Sequence, residues 1–356
     1  MKKTKPHNLL KTLIIAAVAI LLSIALLVIF FDPFYHYHKP LPFLKAVLND
    51  KEYQVPGTLD HFDYNAVIAG SSVSENYNNH WFDEEFDCTS VKAIRSYGAT
   101  ADLCYYVNRA FEHQKLDYVF WNLDPTSLSA EPKLTFEESG LPMYLYDTNP
   151  FNDVEYLFNK DVLFKRIPYQ IASSFMRDYD EGESYNWYSS KTFSEEEMLS
   201  HYTRSETGKE MLPSNHFETE AEANVKLITD IVASHPETKF YIFIPPYSIV
   251  WWDATFRDGT TDAYLSAEEY AMKTLIKYDN VYFFNFQEEA EIIHNLDNYM
   301  DALHFDPKVN HYMVKAMKIG ITQIKDDSMV ESSLQTVSEY AHSAEDYVSG
   351  ILRDDD

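Results

Sequence analysis

The chain has 356 residues, with 29 lysines and arginines against 56 aspartates and glutamates, a formal net charge of −27. That balance repels phosphate backbones and sets nucleic acid aside as a partner. A 46% hydrophobic and 15% aromatic content excludes a disordered chain and suffices for a sizeable core. The two cysteines, Cys88 and Cys104, exclude a disulfide framework and a four-thiolate zinc site, leaving open one bridge or two buried free thiols.

The acid excess has one exception. Residues 1–31 contain Lys2, Lys3, Lys5 and Lys11 and no acidic residue, so the remainder carries −31. Residues 12–31 follow without a charge, and at about 1.5 Å rise per residue such a helix matches the roughly 30 Å hydrocarbon thickness of a bilayer. Lysines before it and Asp32 after it predict a single-pass cell-membrane anchor, with residues 1–11 as a cytoplasmic tail and the main domain extracytoplasmic. A cleaved signal peptide is the rival, but the run ends in Val28-Ile29-Phe30-Phe31 rather than in small residues, which favours an uncleaved anchor.

Residues 32–59 form a juxtamembrane connector in which Pro33, Pro40, Pro42 and Pro56 discourage regular structure and the aromatic rings suit a bilayer interface. From residue 60 to 325 the pattern changes. Short apolar runs of strand length occur at 66–69, 91–94, 118–123, 239–244 and 281–286, and helical spacing occurs at 101–113, 220–234 and 267–277. Strands apolar on both faces, alternating with helices, predict an α/β domain whose parallel sheet is covered on both sides, a three-layer sandwich. The interval 125–213 shows no strand, and 152–174 has helical spacing. It is expected as a partly helical insertion that either caps a cleft or decorates the surface. Residues 326–356 have apolar spacing at Val330, Leu334, Val337, Tyr340 and Ala341, predicting an amphipathic helix with an acidic tail.

Two segments carry candidate chemistry. Gly70-Ser71-Ser72-Val73-Ser74 follows the first strand, where a glycine permits a sharp turn and the amides of a starting helix provide positive potential. A serine there can attack a carbonyl, or it can simply cap the helix. Asp301-Ala302-Leu303-His304 follows the last strand, and its spacing lets the carboxylate hold one imidazole nitrogen while the other accepts a proton. A surface histidine beside a helix that starts at Asp306-Pro307 is the plainer account. Pro245-Pro246-Tyr247-Ser248 and Trp251-Trp252-Asp253 lie past a strand end; their rings are expected at the cleft edge, with packing as their first role and a platform for sugar rings as the second. The 13 histidines include no His-Glu-x-x-His spacing and there is no Gly-rich phosphate loop, so neither a metal nor a cofactor is expected.

A serine after the first strand and Asp-x-x-His after the last resembles the SGNH, or GDSL-type, hydrolase superfamily. The likeness covers roughly 60–320 and is nearest to membrane-anchored bacterial cell-envelope members, such as those acting in D-alanyl transfer to lipoteichoic acid. It implies Ser72 as nucleophile, His304 as base and Asp301 as its partner. It further implies an oxyanion site from the amides of Ser72 and Gly98, with Asn122 in the place of the third-block asparagine. Ser71 replaces the aspartate of the Gly-Asp-Ser form, and the glycine expected ahead of Asn122 is absent, Trp121 and Leu123 flanking it. The expected activity is that of an esterase or acyltransferase on an envelope polysaccharide or teichoic acid. The alternative is a non-catalytic glycan-binding or accessory protein, working beside a membrane-bound acyltransferase.

Overall fold

The structure, a computed structural model, describes residues 6–176, 178–206 and 209–354. The expectations for Lys2, Lys3 and Lys5 and for the last two aspartates lie outside the described residues. The chain divides into two compact units, one of Met1–Phe62 with Gly140–Glu181 and one of Asp63–Ser139 with Gly182–Asp356.

The first unit begins with the helix Pro6–Phe31, whose segment Leu9–Phe31 is long and apolar enough to cross a membrane. Most of its side chains are exposed, but Val28 is fully buried where the last turns meet the segments around 154–157 and 162–166. Directly after it, the Asp32 carboxylate accepts the amides of His36, Tyr37 and His38 at 3.1, 2.7 and 3.0 Å and the Tyr156 hydroxyl at 2.7 Å. This winds the connector around one buried carboxylate. Contrary to the expectation from its prolines, the connector ends in a helix, Lys51–His61, with Pro56 inside it. Pro56 cannot donate to the Glu52 carbonyl, and the Tyr146 hydroxyl donates to that oxygen at 2.9 Å instead. Gly57 permits the packing of this helix, since a Cβ there would stand 2.3 Å from the Tyr35 carbonyl oxygen. The single helix expected over 152–174 is broken into Val154–Leu157, a π-helical Val162–Arg166 and Ile167–Ser174. Pro168 has no amide to carry the ladder across the last boundary.

The second unit contains a six-stranded sheet: β1 Ala66–Gly70, β2 Ser90–Ile94, β3 Tyr118–Asn122, β4 Lys239–Ile244, β5 Val281–Asn285 and β6 Gln323–Ile324. The order is β2-β1-β3-β4-β5-β6, with five parallel strands and β6 antiparallel at the edge. The fold is thus α/β with a mixed, mostly parallel sheet. The expected all-parallel sheet misses β6 because two residues are too few to carry an alternation signal. The apolar runs pair as buried strands do, with Val67 opposite both Val91 and Val119, and Ile242 opposite Phe283.

The helices Asn79–Phe86 and Pro307–Ile319 pack together, and Phe82 and Phe86 set their rings 4.5 and 4.7 Å from that of Phe120 on β3. A separate group is formed by Thr100–His113, Glu218–Ser234 and Thr261–Leu275. The C-terminal helix Asp327–Asp354 buries Val330, Val337, Ala341, Ala344 and Val348 and packs on the helix Ile249–Asp258. Arg204 reinforces that contact, donating from Nε and Nη2 to Asp253 at 2.9 and 2.8 Å and to the Glu345 carbonyl at 2.8 Å. Cys88 and Cys104 are free thiols, Cys88 only partly buried. Both are pushed up to about 12 by burial.

After β1 the chain continues to β2 on one side while β3 lies on the other. The crevice beyond the carboxyl ends of β1 and β3 is therefore the topological switch point, where open α/β sheets hold their ligands. Ser72 follows β1 at this place.

Candidate functional site

Ser72 opens a single 3-10 turn, Ser72–Ser74, held by the Ser74 amide on the Ser71 carbonyl at 3.0 Å and the Glu75 amide on the Ser72 carbonyl at 3.2 Å. The amides of Ser72 and Val73 precede these bonds and are not used within the turn. Gly70 is required by close approach, since a Cβ there would lie 2.2 Å from Ser74 Oγ and 2.8 Å from Asn122 Cβ.

The histidine arrives on a short looped-back segment. Tyr299 and Phe305 form an antiparallel bridge, the Met300 amide donates to the His304 carbonyl at 3.0 Å, and the Asp306 amide donates to Asn298 at 2.7 Å. The loop is tied from outside as well. Tyr299 donates its hydroxyl to the Pro246 carbonyl at 2.7 Å, and Ser248 donates its hydroxyl to the Ala302 carbonyl at 2.9 Å. Asp306 then caps the helix Pro307–Ile319 by accepting the Lys308 amide at 2.7 Å, as its position before a proline suggests.

Within that loop, Asp301 Oδ1 accepts the amides of Leu303 and His304, both at 2.9 Å, and Oδ2 lies 2.8 Å from His304 Nδ1. His304 Nε2 in turn lies 2.8 Å from Ser72 Oγ. Residues 232 positions apart are thus joined in one relay of hydroxyl, imidazole and carboxylate. Burial pushes the Asp301 carboxyl up, but the hydrogen bond and charge of His304 outweigh it, and Asp301 titrates below the usual carboxylate range. An ionised carboxylate fixed behind Nδ1 sets the tautomer that leaves Nε2 as acceptor from the serine.

The relay borders a cavity of about 580 Å³ whose wall includes Ser71, Ser72, Gly98, Asp124, Tyr247 and His304. Of the expected oxyanion residues, Ser72 stands at this wall with its turn-start amide. Gly98 lines the wall too, but its amide donates to the Arg95 carbonyl at 3.0 Å and is committed to that turn. Asn122 is withdrawn from the wall: it is 1% exposed, and neither side-chain polar atom has a partner among the described residues. The reason is the register at the end of β3, which places Asn122 under Gly70 and brings Asp124, two residues later, to the cavity. Asp124 is buried and accepts the Tyr247 hydroxyl, and burial raises its carboxyl above the usual range. Of the aromatic cluster, Tyr247 alone reaches the cavity. Trp251 and Trp252 belong to the core and do not form a cleft edge.

Three contributors carry no sequence motif. Trp187 packs edge-on against the His304 ring at 5.2 Å, and its amide donates to Asn76 Oδ1 at 3.1 Å. Lys92, fully buried, donates to the carbonyls of Glu75 and Ser184 at 2.7 and 2.5 Å and to Asn186 Oδ1 at 2.7 Å. It clamps the segment bearing Trp187 to the turn bearing Ser72. A lysine inside the otherwise apolar run of β2 was its only signal. Tyr97 stands at the rim beside Gly98 with a φ of 55° and is 93% exposed. Among the described residues no group of three or more histidines, cysteines or acids is placed to hold a metal ion.

Comparison with known proteins yields no match: no family model, no curated protein and no solved structure aligns with this chain.

Proposed function

We propose that the chain is a membrane-anchored serine esterase or acyltransferase of SGNH-like type, acting on an ester of a cell-envelope polymer. The observation that carries this reading is the Ser72–His304–Asp301 relay, with both contacts at 2.8 Å, on the wall of an open cavity. Ser72 Oγ attacks the acyl carbonyl as His304 Nε2 takes its proton, and Asp301 holds Nδ1–H and stabilises the imidazolium. His304 returns that proton to the departing alcohol. Water or a polymer hydroxyl, deprotonated in its turn by His304, then attacks the acyl enzyme and regenerates Ser72. The Ser72 amide at the turn start is the oxyanion donor in this scheme.

The two separate groups of packed helices in the second unit favour a three-layer α/β/α sandwich around the sheet. The helix Leu9–Phe31 is the single-pass anchor, its lysine-bearing end cytoplasmic and both folded units extracytoplasmic. The charge that disfavours nucleic acid also disfavours a bare polyphosphate, so a polysaccharide hydroxyl fits better than an unmodified teichoic acid backbone. The exposed Tyr97 ring at the rim is the platform on which a sugar can stack.

The committed Gly98 amide and the withdrawn Asn122 favour a second reading, an accessory domain that presents a glycan to a membrane-bound acyltransferase without itself forming an acyl enzyme. Ester hydrolysis by the detergent-solubilised full chain separates the two. The enzyme reading expects p-nitrophenyl acetate turnover that falls by about 10³-fold or more in both Ser72→Ala and His304→Ala. Turnover unchanged by Ser72→Ala overturns it, and turnover absent from the folded chain supports the accessory role.

A further inference from the structure

The first unit leaves a group of large apolar side chains in solvent next to the end of the membrane-length helix. Phe151 is 87% exposed, Phe164 74%, Val154 54% and Phe158 44%. Their neighbour Tyr156 is fully buried and donates its hydroxyl to Asp32, the first residue after the helix, at 2.7 Å. The Phe34 ring stacks on Tyr156 with centroids 5.2 Å apart. The segments Val154–Leu157 and Val162–Arg166 also touch the helix itself. The exposed rings are therefore held within a side chain or two of the point where the chain leaves its apolar run.

The helix marks the depth. Leu26 and Phe30 are 65% and 50% exposed, whereas Val28, between them, is fully buried against the unit. Packing thus begins while the helix still presents apolar side chains outward, and a segment packed on these turns shares their level. Between 151 and 166 three acidic residues, Asp153, Glu155 and Asp161, meet three basic ones, Lys160, Lys165 and Arg166, so the segment carries no net charge in a chain of −27. Clustered exposed rings are unusual on a surface that faces only water. Apolar rings among lysines and backbone at the level of a helix end are what the boundary between headgroups and acyl chains accommodates.

We infer that the 151–166 segment is a second membrane contact, lying in the interfacial layer beside the helix with Phe151, Phe158 and Phe164 among the lipids. This rests on the reading of Leu9–Phe31 as a membrane span. The contact gives the unit two points of attachment, so it cannot swing freely about the helix end. Because the segment is electrically neutral, insertion depends on the rings and not on anionic lipid.

The test uses the full chain in phosphatidylcholine vesicles, with Phe151→Cys, Phe164→Cys and Ile15→Cys each carrying an environment-sensitive fluorophore. The unsubstituted chain is labelled in parallel to account for Cys88 and Cys104. Lipids brominated near the headgroup end should quench labels at 151 and 164, aqueous iodide should not, and deeply brominated lipids should quench the label at 15. If 15 is quenched by lipid while 151 and 164 respond only to iodide, the interfacial contact is wrong and the anchor stands. If 15 is not quenched by lipid, both fail. Self-quenching between copies at 164, without lipid quenching, also overturns the proposal by assigning the surface to a second copy of the chain.

Discussion

The two ends of the sheet are built differently. At the amino ends of the strands, buried and half-buried polar groups find partners. Asn280 Nδ2 donates to the carbonyls of Val232, His235 and Thr238 at 3.2, 3.0 and 3.2 Å, and Thr238 donates its hydroxyl to the Leu116 carbonyl at 2.7 Å. Asn65 accepts the Thr89 amide at 2.8 Å and donates to Asp117 at 2.7 Å. Beyond the carboxyl ends, Ser74 Oγ, Arg95 Nε, both polar atoms of Asn122 and Asp124 Oδ2 are buried without a partner among the described residues. A sequence under selection for stability alone would remove such groups, and this end of the sheet, where Ser72 lies, retains them.

Substitutions at the two ends should break in opposite ways. The largest effect is expected at the carboxyl end from Asp301→Asn, which keeps the shape but removes the charge behind His304 Nδ1; ester turnover should fall by about 10³–10⁴-fold with little change in thermal stability. Comparable turnover would show that the relay is a structural hydrogen bond. At the amino end, Asn280→Ala removes the donor shared by three carbonyls and should cost about 1–3 kcal/mol in urea denaturation while leaving turnover intact.

Glu268 sharpens the contrast through pH. It is fully buried, Gln287 donates to it at 3.2 Å, and burial pushes its carboxyl up to about 8. Its protonated form therefore persists in the fold at pH values where the unfolded chain has already ionised it. Its contribution should decline by about 1.4 kcal/mol per pH unit from the unfolded value near 4.5 to about 8, and level off above. Glu268→Gln should flatten that slope between pH 6 and 8; an unchanged slope would place the proton elsewhere. The smallest effect is expected from Asn122→Leu, which replaces a partnerless amide by an apolar group of similar size. Stability should rise by about 0.5–2 kcal/mol, and a loss would mean that Asn122 is satisfied after all.

Much of this architecture was legible in the residues. Five apolar runs became the five parallel strands within a residue or two, because a strand buried on both faces leaves a continuous signal. The contact of Asp301 with His304 was legible because turn chemistry constrains short spacings: Asp-x-x-His lets one carboxylate oxygen take two amides and the other the ring, whereas only the family resemblance singled out Ser72 among its neighbouring serines. The oxyanion assignments fared differently. Whether the Gly98 amide is free depends on the turn it closes on Arg95, and whether Asn122 or Asp124 faces the cavity depends on the end of a strand register. Neither is written in local composition. Trp187 and Lys92 were hidden for the same reason, since each acts on the site through a contact distant in sequence. The helix over Pro56 went against its own residue because a tyrosine 94 positions from Glu52 supplies the missing donor.

A fluorophosphonate probe tests most directly whether Ser72 is an activated nucleophile. Intact full-length protein treated with the probe and mapped by mass spectrometry should carry one adduct, on Ser72, and His304→Ala should remove it while circular dichroism stays unchanged. Folded protein that takes no adduct, or an adduct on another serine that survives His304→Ala, would contradict the account.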